Sequence, residues 1–356
     1  MTRNGDVTGA AVPETRRGSE FAELSREVKA AGLMARRTRG YWVRIGVTLG
    51  IYAAAWTAFG LLGPSWWQLA VAAVLAIVFT QIGFLGHDAG HRQVFHTRRA
   101  NDLLGLVCAN LLIGLSYSWW IDKHNRHHAN PNHVDRDPDI AVSVVAFTPA
   151  QAQDRGGAFG RAVARHQAAL FFPLLLLEAI ALHVASVRAL VTRPTDRPRV
   201  IESVLLGIHG VAYVAAIVIV LPPWQAVAFV AVHQGLFGLY LGSTFAPNHK
   251  GMAVLSDSDE LDYLRRQVLT SRNIAGSRFL DMAMGGLNHQ IEHHLFPSMP
   301  SMSLRRAKPP VRAFCMEHDV AYVETTLTGS YAHVLRYLDD VGVLATPPVK
   351  GAVSGP

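Results

Sequence analysis

Histidine is the residue whose spacing suggests chemistry in this sequence, which contains 17 histidines. Four short stretches concentrate them: HDAGH, HNRHH, the single histidine of NHKG, and QIEHH. Imidazoles three or four residues apart share one face of a helix and can bind a common metal ion. The candidate metal ligands are His87, His91, His124, His127, His128, His249, His293 and His294.

The number of these imidazoles indicates two metal ions. A closed structural zinc site needs only four ligands, whereas the stretches together offer eight. Imidazole suits iron, zinc, copper and nickel, so the ligand type alone does not choose the metal. Cys108 and Cys315 are the only cysteines and lie outside the stretches, which disfavours an iron–sulfur cluster. Any single stretch could equally be solvated or core histidine.

The composition indicates that these histidines belong to a membrane protein. Of the 356 residues, 50% are hydrophobic and 17% are charged, whereas a soluble domain of average composition has about 25% charged residues. The apolar residues occur in long blocks. The formal net charge is +7, but the basic residues lie beside these blocks and do not form one soluble patch. Nucleic acid is therefore not an expected partner.

Four apolar segments predict two transmembrane hairpins. Segments 45–62 and 66–86 contain no Asp, Glu, Lys or Arg, and about 20 apolar residues cross the bilayer core. Segments 204–221 and 225–246 repeat the arrangement. Arginines outside the hairpins place the hairpin ends, and with them all four histidine stretches, on the cytoplasmic side. We expect an integral protein of a bacterial plasma membrane with both termini and the active site in the cytoplasm.

Two further apolar segments, 103–120 and 168–187, are assigned differently. A single crossing at either would separate the histidine stretches onto opposite faces, so each is expected to lie along the interface or to dip in and return. The more polar stretch from Gly251 to about Thr346 predicts a cytoplasmic helical cap. The predicted fold is all-α and integral to the membrane, with four transmembrane helices, interfacial helices and the cap.

The chain is divided into three parts on this basis. Residues 1–40 are predicted to be a cytoplasmic arm, residues 41–346 the membrane domain and residues 347–356 a flexible tail. Within the arm, Phe21, Leu24 and Val28 fall at helical spacing. They predict an interfacial helix, with a disordered arm as the alternative.

The histidine motifs resemble those of the membrane fatty acid desaturases. The resemblance is carried by HDAGH, by HNRHH with the following NPNHVDRDPDI, by NHKG after a span, and by GGLNHQIEHHLFP. It runs from about Gly86 to Pro297 and is strongest to acyl-lipid and front-end members, whose last box is QxxHH. It implies a histidine-ligated pair of iron ions that uses O2 and two electrons to remove two hydrogens from an acyl chain. It also implies four spans with both termini in the cytoplasm.

Carried over motif by motif, the resemblance implies that all eight candidate histidines are metal ligands. Gln290 stands where other desaturases have a further histidine, and because an amide oxygen is a poorer ligand, we expect Gln290 to orient a water. Asp88, Asn248, Asp137 and Asp139 are candidates for accepting the outer N–H of ligand imidazoles. Helix capping and loop chemistry are the alternative roles for these residues.

The expected activity is O2-dependent desaturation of an acyl chain carried on a lipid, CoA or a carrier protein. An unactivated methylene has no acidic proton, so its oxidation requires a redox metal, which favours iron over zinc. The sequence has no HPGG motif of a fused cytochrome b5. Electrons are therefore expected from a separate protein, such as a ferredoxin with its NAD(P)H-dependent reductase.

Alternative functions follow from the same features. A hydroxylase, an epoxygenase or a carotenoid-modifying oxygenase would use the same scaffold. A membrane metal transporter is a remote alternative. A transporter would need polar residues near mid-membrane on several spans, and His209 and His233 supply few of them. A zinc protease of the HExxH type is equally remote, because its glutamate would be needed where Asp88 stands.

Overall fold

The computed structural model describes residues 19–141, 144–192 and 197–345, and it is mostly helical. The predicted tail 347–356 and the first 18 residues of the predicted arm lie outside the described residues. The helices are α1 (Ser19–Ala30), α2 (Thr38–Leu62), α3 (Gln68–Gly90), α4 (Arg98–Leu106), α5 (Tyr117–Ala129), α6 (Pro149–Gln153), α7 (Gly157–Arg165), α8 (Gln167–Leu175), α9 (Glu178–Thr192), α10 (Arg197–Val220), α11 (Pro223–His249), α12 (Tyr263–Leu269), α13 (Arg278–Ala283), α14 (Gln290–Leu295), α15 (Ser301–Glu317) and α16 (Leu327–Val343). A π-helical segment, Val107–Leu112, continues α4.

A small sheet is the one departure from the predicted all-α fold within the described residues. Strand β1 (Asn273–Ile274) pairs in parallel with β2 (Glu324–Thr325). The pairing is short, and it joins the segment that follows α12 to the segment that precedes α16. It therefore ties together the polar C-terminal part of the chain.

Four described helices have the length and composition to cross a membrane: α2, α3, the part of α10 from Arg199, and α11. They correspond to the four predicted spans, of which only Trp66, Trp67 and Leu221 lie outside these helices. The count rises to six if each of two bent helix pairs is one span. Side chains of α10 such as Val211 and Ile219 are 72% and 80% exposed within the protein, as expected for a helix that faces lipid.

The two bent pairs coincide with the apolar segments that were not assigned to spans. The helix Arg98–Leu112 meets α5 at a bend of 116°, and α8 meets α9 at a bend of 69°. Neither pair is a straight helix. This geometry agrees with segments that lie along the interface or dip in and return, and their topology stays a prediction.

Helix α11 is longer than the sequence predicts. The predicted span ends at residue 246, which leaves His249 beyond it, but α11 continues through Pro247 to His249. A proline cannot donate to the carbonyl four residues earlier. The hydroxyl of Tyr331 donates instead to the carbonyl of Ser243, at 2.5 Å. The helix is thus stabilised at its end, and His249 is its last residue.

Helices α3 and α11 form the centre of the apolar bundle. Each packs against the other, and α3 also packs against α2 and α4. Phe79 of α3 and Phe237 of α11 are fully buried, with ring centroids 5.6 Å apart. Both helices end on the same side of the bundle, and both end in histidine-bearing turns.

The C-terminal unit, defined as α12 to α15 with the two strands, has a second core of its own. Val268, Leu304 and Val311 are buried there. Helix α1 packs onto this core, with Leu24 and Val28 fully buried. The apolar face of α1 is therefore covered by protein, which contradicts both the interfacial helix and the disordered arm for these residues.

Candidate metal centre

The candidate ligands lie on four elements that meet at one end of the bundle. His87 is in the last turn of α3, and His91 immediately follows that helix. Helix α5 carries His124, His127 and His128, α11 ends at His249, and α14 carries His293 and His294. All eight candidate histidines are brought together, although the sequence separates the first from the last by about 200 residues.

The imidazoles form two groups. In the first group, the ligand nitrogens of four residues lie within 4.8 Å of one another: His87, His91, His124 and His293. The second group has the same spacing and consists of His127, His249 and His294. A group of this size can hold one ion, so the arrangement fits two.

His128 lies between the two groups. Its Nε2 is 3.1 Å from Nε2 of His124 and 3.1 Å from Nε2 of His293. Its ring stacks on that of His294, with centroids 4.3 Å apart. Nitrogen ligands about 2.1 Å from one metal ion lie about 3 Å apart, so these separations suit lone pairs that converge on a cation.

In two imidazoles of the site, one ring nitrogen lies within hydrogen-bond distance of a neighbouring side chain and the other ring nitrogen has no hydrogen-bond partner. Nδ1 of His87 lies 3.2 Å from a carboxylate oxygen of Asp88, and Nδ1 of His294 lies 2.9 Å from Oε1 of Gln267. Nε2 of both histidines is buried and has no hydrogen-bond partner. Because a buried polar atom without a partner is costly, these nitrogens fit a site that takes a metal ion.

The second group is held from outside in the same way. Nδ1 of His127 is 3.0 Å from both carboxylate oxygens of Asp137. Nδ1 of His249 is 2.9 Å from the carbonyl oxygen of Thr270, to which it can donate. These contacts select the tautomer that presents Nε2 to the site.

Asp88 is itself fixed by three donors. Tyr41 and Ser301 donate from their hydroxyls at 3.0 and 2.6 Å, and Arg44 donates from its guanidinium at 3.0 Å. These residues come from α2 and α15. The carboxylate beside His87 is thus bound by both the membrane bundle and the C-terminal unit.

Asp139 and Asn248 lie further from the imidazoles. Asp139 forms an ion pair with Lys123 and has an oxygen 3.5 Å from Nδ1 of His127. Asn248 donates to the carbonyls of Thr244 and Leu287 and to the side-chain oxygen of Gln290. Its described contacts are therefore with the backbone and with Gln290.

Gln290 occupies the edge of the second group. Its side chain is buried, and its amide nitrogen lies 2.9 Å from Nε2 of His249. The amide thus faces the nitrogen that is directed into the site. The expectation that Gln290 orients a water stays a prediction.

Burial favours the neutral form of four imidazoles of the site. It lowers the pKa of His124, His128, His293 and His294 well below the usual value, and neighbouring imidazoles lower it further. Burial alone would raise the pKa of Asp137, but the contacts with His127 and the charge of Lys250 together outweigh it, and the net pKa is lowered. Neutral imidazoles next to ionised carboxylates are the protonation states that metal binding requires.

Several other histidines have separate partners. His183 and His209 lie 2.8 and 2.9 Å from the carbonyl oxygens of Gly114 and Leu111, and the hydroxyl of Tyr213 lies 2.7 Å from His233. Each of these three histidines therefore has a partner inside the bundle. His289 lies beside the site but contacts Asp281, at 3.0 Å.

Among the residues that contact the site, Gln267 and Asn132 were missed by sequence reasoning. Gln267 holds His294 and also donates to the carbonyl of His128, at 3.0 Å. Asn132 donates to the carbonyl of His249 at 2.9 Å, and its backbone N–H donates to Asp137 at 2.7 Å. Asn132 has a φ of 54°, a conformation that asparagine tolerates. Its place in NPNH was a usable signal, whereas nothing marks Gln267.

The comparison with known proteins identifies the family. A sequence model described as fatty acid desaturase matches residues 64–326. The chain belongs to the fatty acid desaturase family. It is therefore related to oxidoreductases of lipid metabolism, and the predicted resemblance is confirmed.

Individual relatives carry desaturase names. The chain is 35% identical over 287 residues to an acyl-lipid (9-3)-desaturase of Physcomitrium patens. The aligned residues are 78% of this chain and 54% of that protein. It is 30% identical over 335 residues to a Delta(6)-fatty-acid desaturase of Caenorhabditis elegans. That alignment covers 90% of this chain and 74% of the relative. A Delta(8)-fatty-acid desaturase of Helianthus annuus is 28% identical over 338 residues. That alignment covers 90% of this chain and 72% of the relative.

These relatives bear on the expected location. The chain spans about half the length of the moss relative and nearly three quarters of the other two. The apolar helices and the family together identify a membrane protein. The three relatives are eukaryotic, so they do not support the expected bacterial plasma membrane.

Proposed function

We propose that this chain is an O2-dependent acyl desaturase that forms a double bond in a fatty acyl chain at a pair of iron ions. The observation that carries the proposal is the convergence of eight buried or half-buried imidazoles, seven in two groups with His128 between them, at the end of an apolar bundle, in a chain of the desaturase family. The relatives act, by their names, on fatty acids or acyl lipids, and the same substrate class is proposed here.

The two groups would each hold one ion. His87, His91, His124 and His293 would bind the first, and His127, His249 and His294 the second, with His128 between them. When bound, iron supplies the one-electron and O2 chemistry that breaks an unactivated C–H bond. The reaction balances if O2 takes two hydrogens from the chain and two electrons and two protons from elsewhere, and leaves as two waters.

The protein's own side chains do the positioning. Asp88, Asp137, Gln267 and the Thr270 carbonyl hold the outer protons of four ligand imidazoles, which fixes their rings before metal binds. The burial of His293 and His294 excludes water from the side of the site formed by α14. Exclusion of water protects a reactive oxidant from side reactions.

The orientation and the electron source are part of the proposal. Arginines before α2 and after α3 support a cytoplasmic location for the histidine groups. The electrons are proposed to come from a separate donor, such as a ferredoxin-type protein with an NAD(P)H-dependent reductase. The acyl chain would reach the site from the membrane, where the apolar helices are exposed.

The direct test is expression in a bacterial host together with a ferredoxin and its reductase. Mass spectrometry of total fatty acids, with double-bond positions determined, should reveal new unsaturated species. His127→Ala and His293→Ala should abolish them, because each removes a ligand from one group. The matched control is His96→Ala, since His96 is exposed and belongs to neither group.

Two results would contradict the proposal. An unchanged fatty acid profile, with the wild-type protein in the membrane and a working donor present, would argue against a desaturase. Products with an added oxygen in place of a double bond would identify a hydroxylase or epoxygenase on the same scaffold.

A further inference from the structure

A buried carboxylate lies outside every histidine motif. Glu202 is on α10, in the part of that helix able to span a membrane, and it is 1% exposed. Its Oε2 accepts a hydrogen bond from the hydroxyl of Ser116 at 2.8 Å, from the side-chain amide of Asn110 at 3.2 Å and from the backbone N–H of Ser118 at 3.3 Å. A carboxylate within a membrane span is costly and rare, so its presence needs a reason.

All three donors lie around the start of α5. The first N–H groups of a helix have no partner within the helix. Here Tyr117 N–H donates to the side chain of Asn110 at 3.2 Å, Ser118 N–H donates to Glu202, and Trp119 N–H donates to the hydroxyl of Ser116 at 3.4 Å. The first turn of α5 is therefore satisfied by a network in which Glu202 contacts both of the other acceptor residues.

The same network fixes the turn between the π-helical segment and α5. The backbone N–H of Ser116 donates to the hydroxyl of Ser186 on α9, at 3.0 Å. The start of α5 is thus bound to α9, to α10 and to the π-helical segment, at the place where the chain bends by 116°. A negative charge at a helix N-terminus also interacts favourably with the helix dipole.

Helix α5 is the element that carries three of the candidate ligands. Two turns beyond its start is His124, whose ring stacks on that of Trp120 with centroids 4.5 Å apart. His127 and His128 follow in the last turn. Because a helix is rigid over 13 residues, the direction in which α5 leaves the bend determines where these imidazoles lie.

We propose that Glu202 is a positioning residue for the metal site: from α10 it fixes the N-terminus of α5 and thereby places His124, His127 and His128. This inference extends the proposed function, since its consequence for metal rests on the site assigned there. Its structural part, the fixing of α5, does not depend on metal or on the reaction.

The test combines amide hydrogen exchange of metal-free protein with cobalt(II) titration. In Glu202→Ala, the amides of α5 should exchange about tenfold faster, the size expected when an N-cap is lost, while those of α15 are unchanged. Cobalt(II) affinity, followed by absorption, should fall by about tenfold. Glu202→Gln, whose amide oxygen can accept the same hydrogen bonds, should give intermediate values in both measurements.

Two controls separate this role from general destabilisation. Ser203→Ala changes the next residue of α10, which is exposed, and Glu27→Ala removes an exposed carboxylate from α1; neither should alter exchange in α5. The proposal is overturned if Glu202→Ala leaves α5 exchange unchanged, accelerates α5 and α15 equally, or accelerates α5 without lowering cobalt affinity. If the wild-type protein bound no cobalt, the proposed metal site would fail, and α5 exchange would still decide the fixing of α5 alone.

Discussion

At the scale of the residue, the orientation of each imidazole in the site depends on which of its ring nitrogens is hydrogen-bonded to a residue outside the two groups. Asp88 follows His87 directly, and Asp137 lies in a short loop after His127, so both contacts are local enough to be suggested by sequence. The contact between His294 and Gln267 joins two helices, and the sequence could not suggest it. A partner that lies in another element is invisible until the helices are packed.

The contact between Asp137 and His127 predicts a loss of metal affinity on substitution. Asp137→Asn keeps the size of the side chain but removes the charge that stabilises the outer proton of His127. We expect affinity for cobalt(II) to fall by about 10- to 100-fold, the range for such partners. Asp135→Asn is the matched control, because Asp135 is exposed in the same loop. Equal affinity in the two variants would show that Asp137 does not act on the site.

Gln267 gives a second prediction at this scale. Gln267→Leu removes the acceptor of His294 and the donor to the carbonyl of His128. The iron content of the purified protein should drop by half or more, since metal affinity is again expected to fall about 10-fold or further. Gln153→Leu, at an exposed position of α6, should retain wild-type iron. Full iron in Gln267→Leu would show that Gln267 does not position His294 for metal binding.

At the scale of the element, the bend between α8 and α9 packs against α11 at a glycine. A Cβ added at Gly238 would lie 2.6 Å from the carbonyl oxygen of Leu175 and 2.7 Å from the backbone nitrogen of Ala179. Backbone atoms cannot rotate away as a side chain can. Glycine is therefore required at this position for the close approach of the bend to α11.

Gly238→Ala should accordingly destabilise the protein by about 1–3 kcal/mol, the usual cost of overpacking. Gly235→Ala, one turn earlier on the same helix, is the matched control. Its added Cβ would meet only ordinary contacts, the nearest at 3.7 Å from a side-chain carbon of Leu176. Thermal unfolding in detergent measures both variants, and equal midpoints would contradict the packing described here.

At the scale of the whole molecule, the charge distribution predicts one orientation. The connector of the first hairpin, at Pro64, is uncharged and exposed, and it lies at the opposite end of α2 and α3 from the histidine groups. In cells of a bacterial host, a membrane-impermeant thiol reagent should label Pro64→Cys from outside. Arg98→Cys, exposed near the histidine end, should be labelled only after the cells are broken. The reverse pattern would overturn the proposed orientation.

The two native cysteines should contribute little labelling to this experiment. Cys108 and Cys315 are both buried. Burial raises the pKa of the Cys315 thiol to about 12, so this thiol is not ionised near neutral pH. Unmodified protein should therefore react little with the reagent on either side of the membrane.

Sequence alone predicted much of the molecule, because its strongest signals are local. Apolar blocks without charge predicted the spans, and histidine spacing predicted the residues that converge. The continuation of α11 through Pro247 was missed because the hydroxyl that compensates the proline comes from Tyr331, far along the chain. The packing of α1 onto the C-terminal unit was missed for the same reason, since its apolar face fits a protein surface as well as a membrane.

If the two imidazole groups together hold a pair of iron ions, metal analysis of protein purified without oxygen will detect both ions. We expect about two irons per chain in the wild-type protein and clearly fewer in both His127→Ala and His293→Ala, with His166→Ala unchanged because His166 is exposed. Stoichiometric zinc in the wild-type protein, or full iron in the two ligand variants, would contradict this expectation.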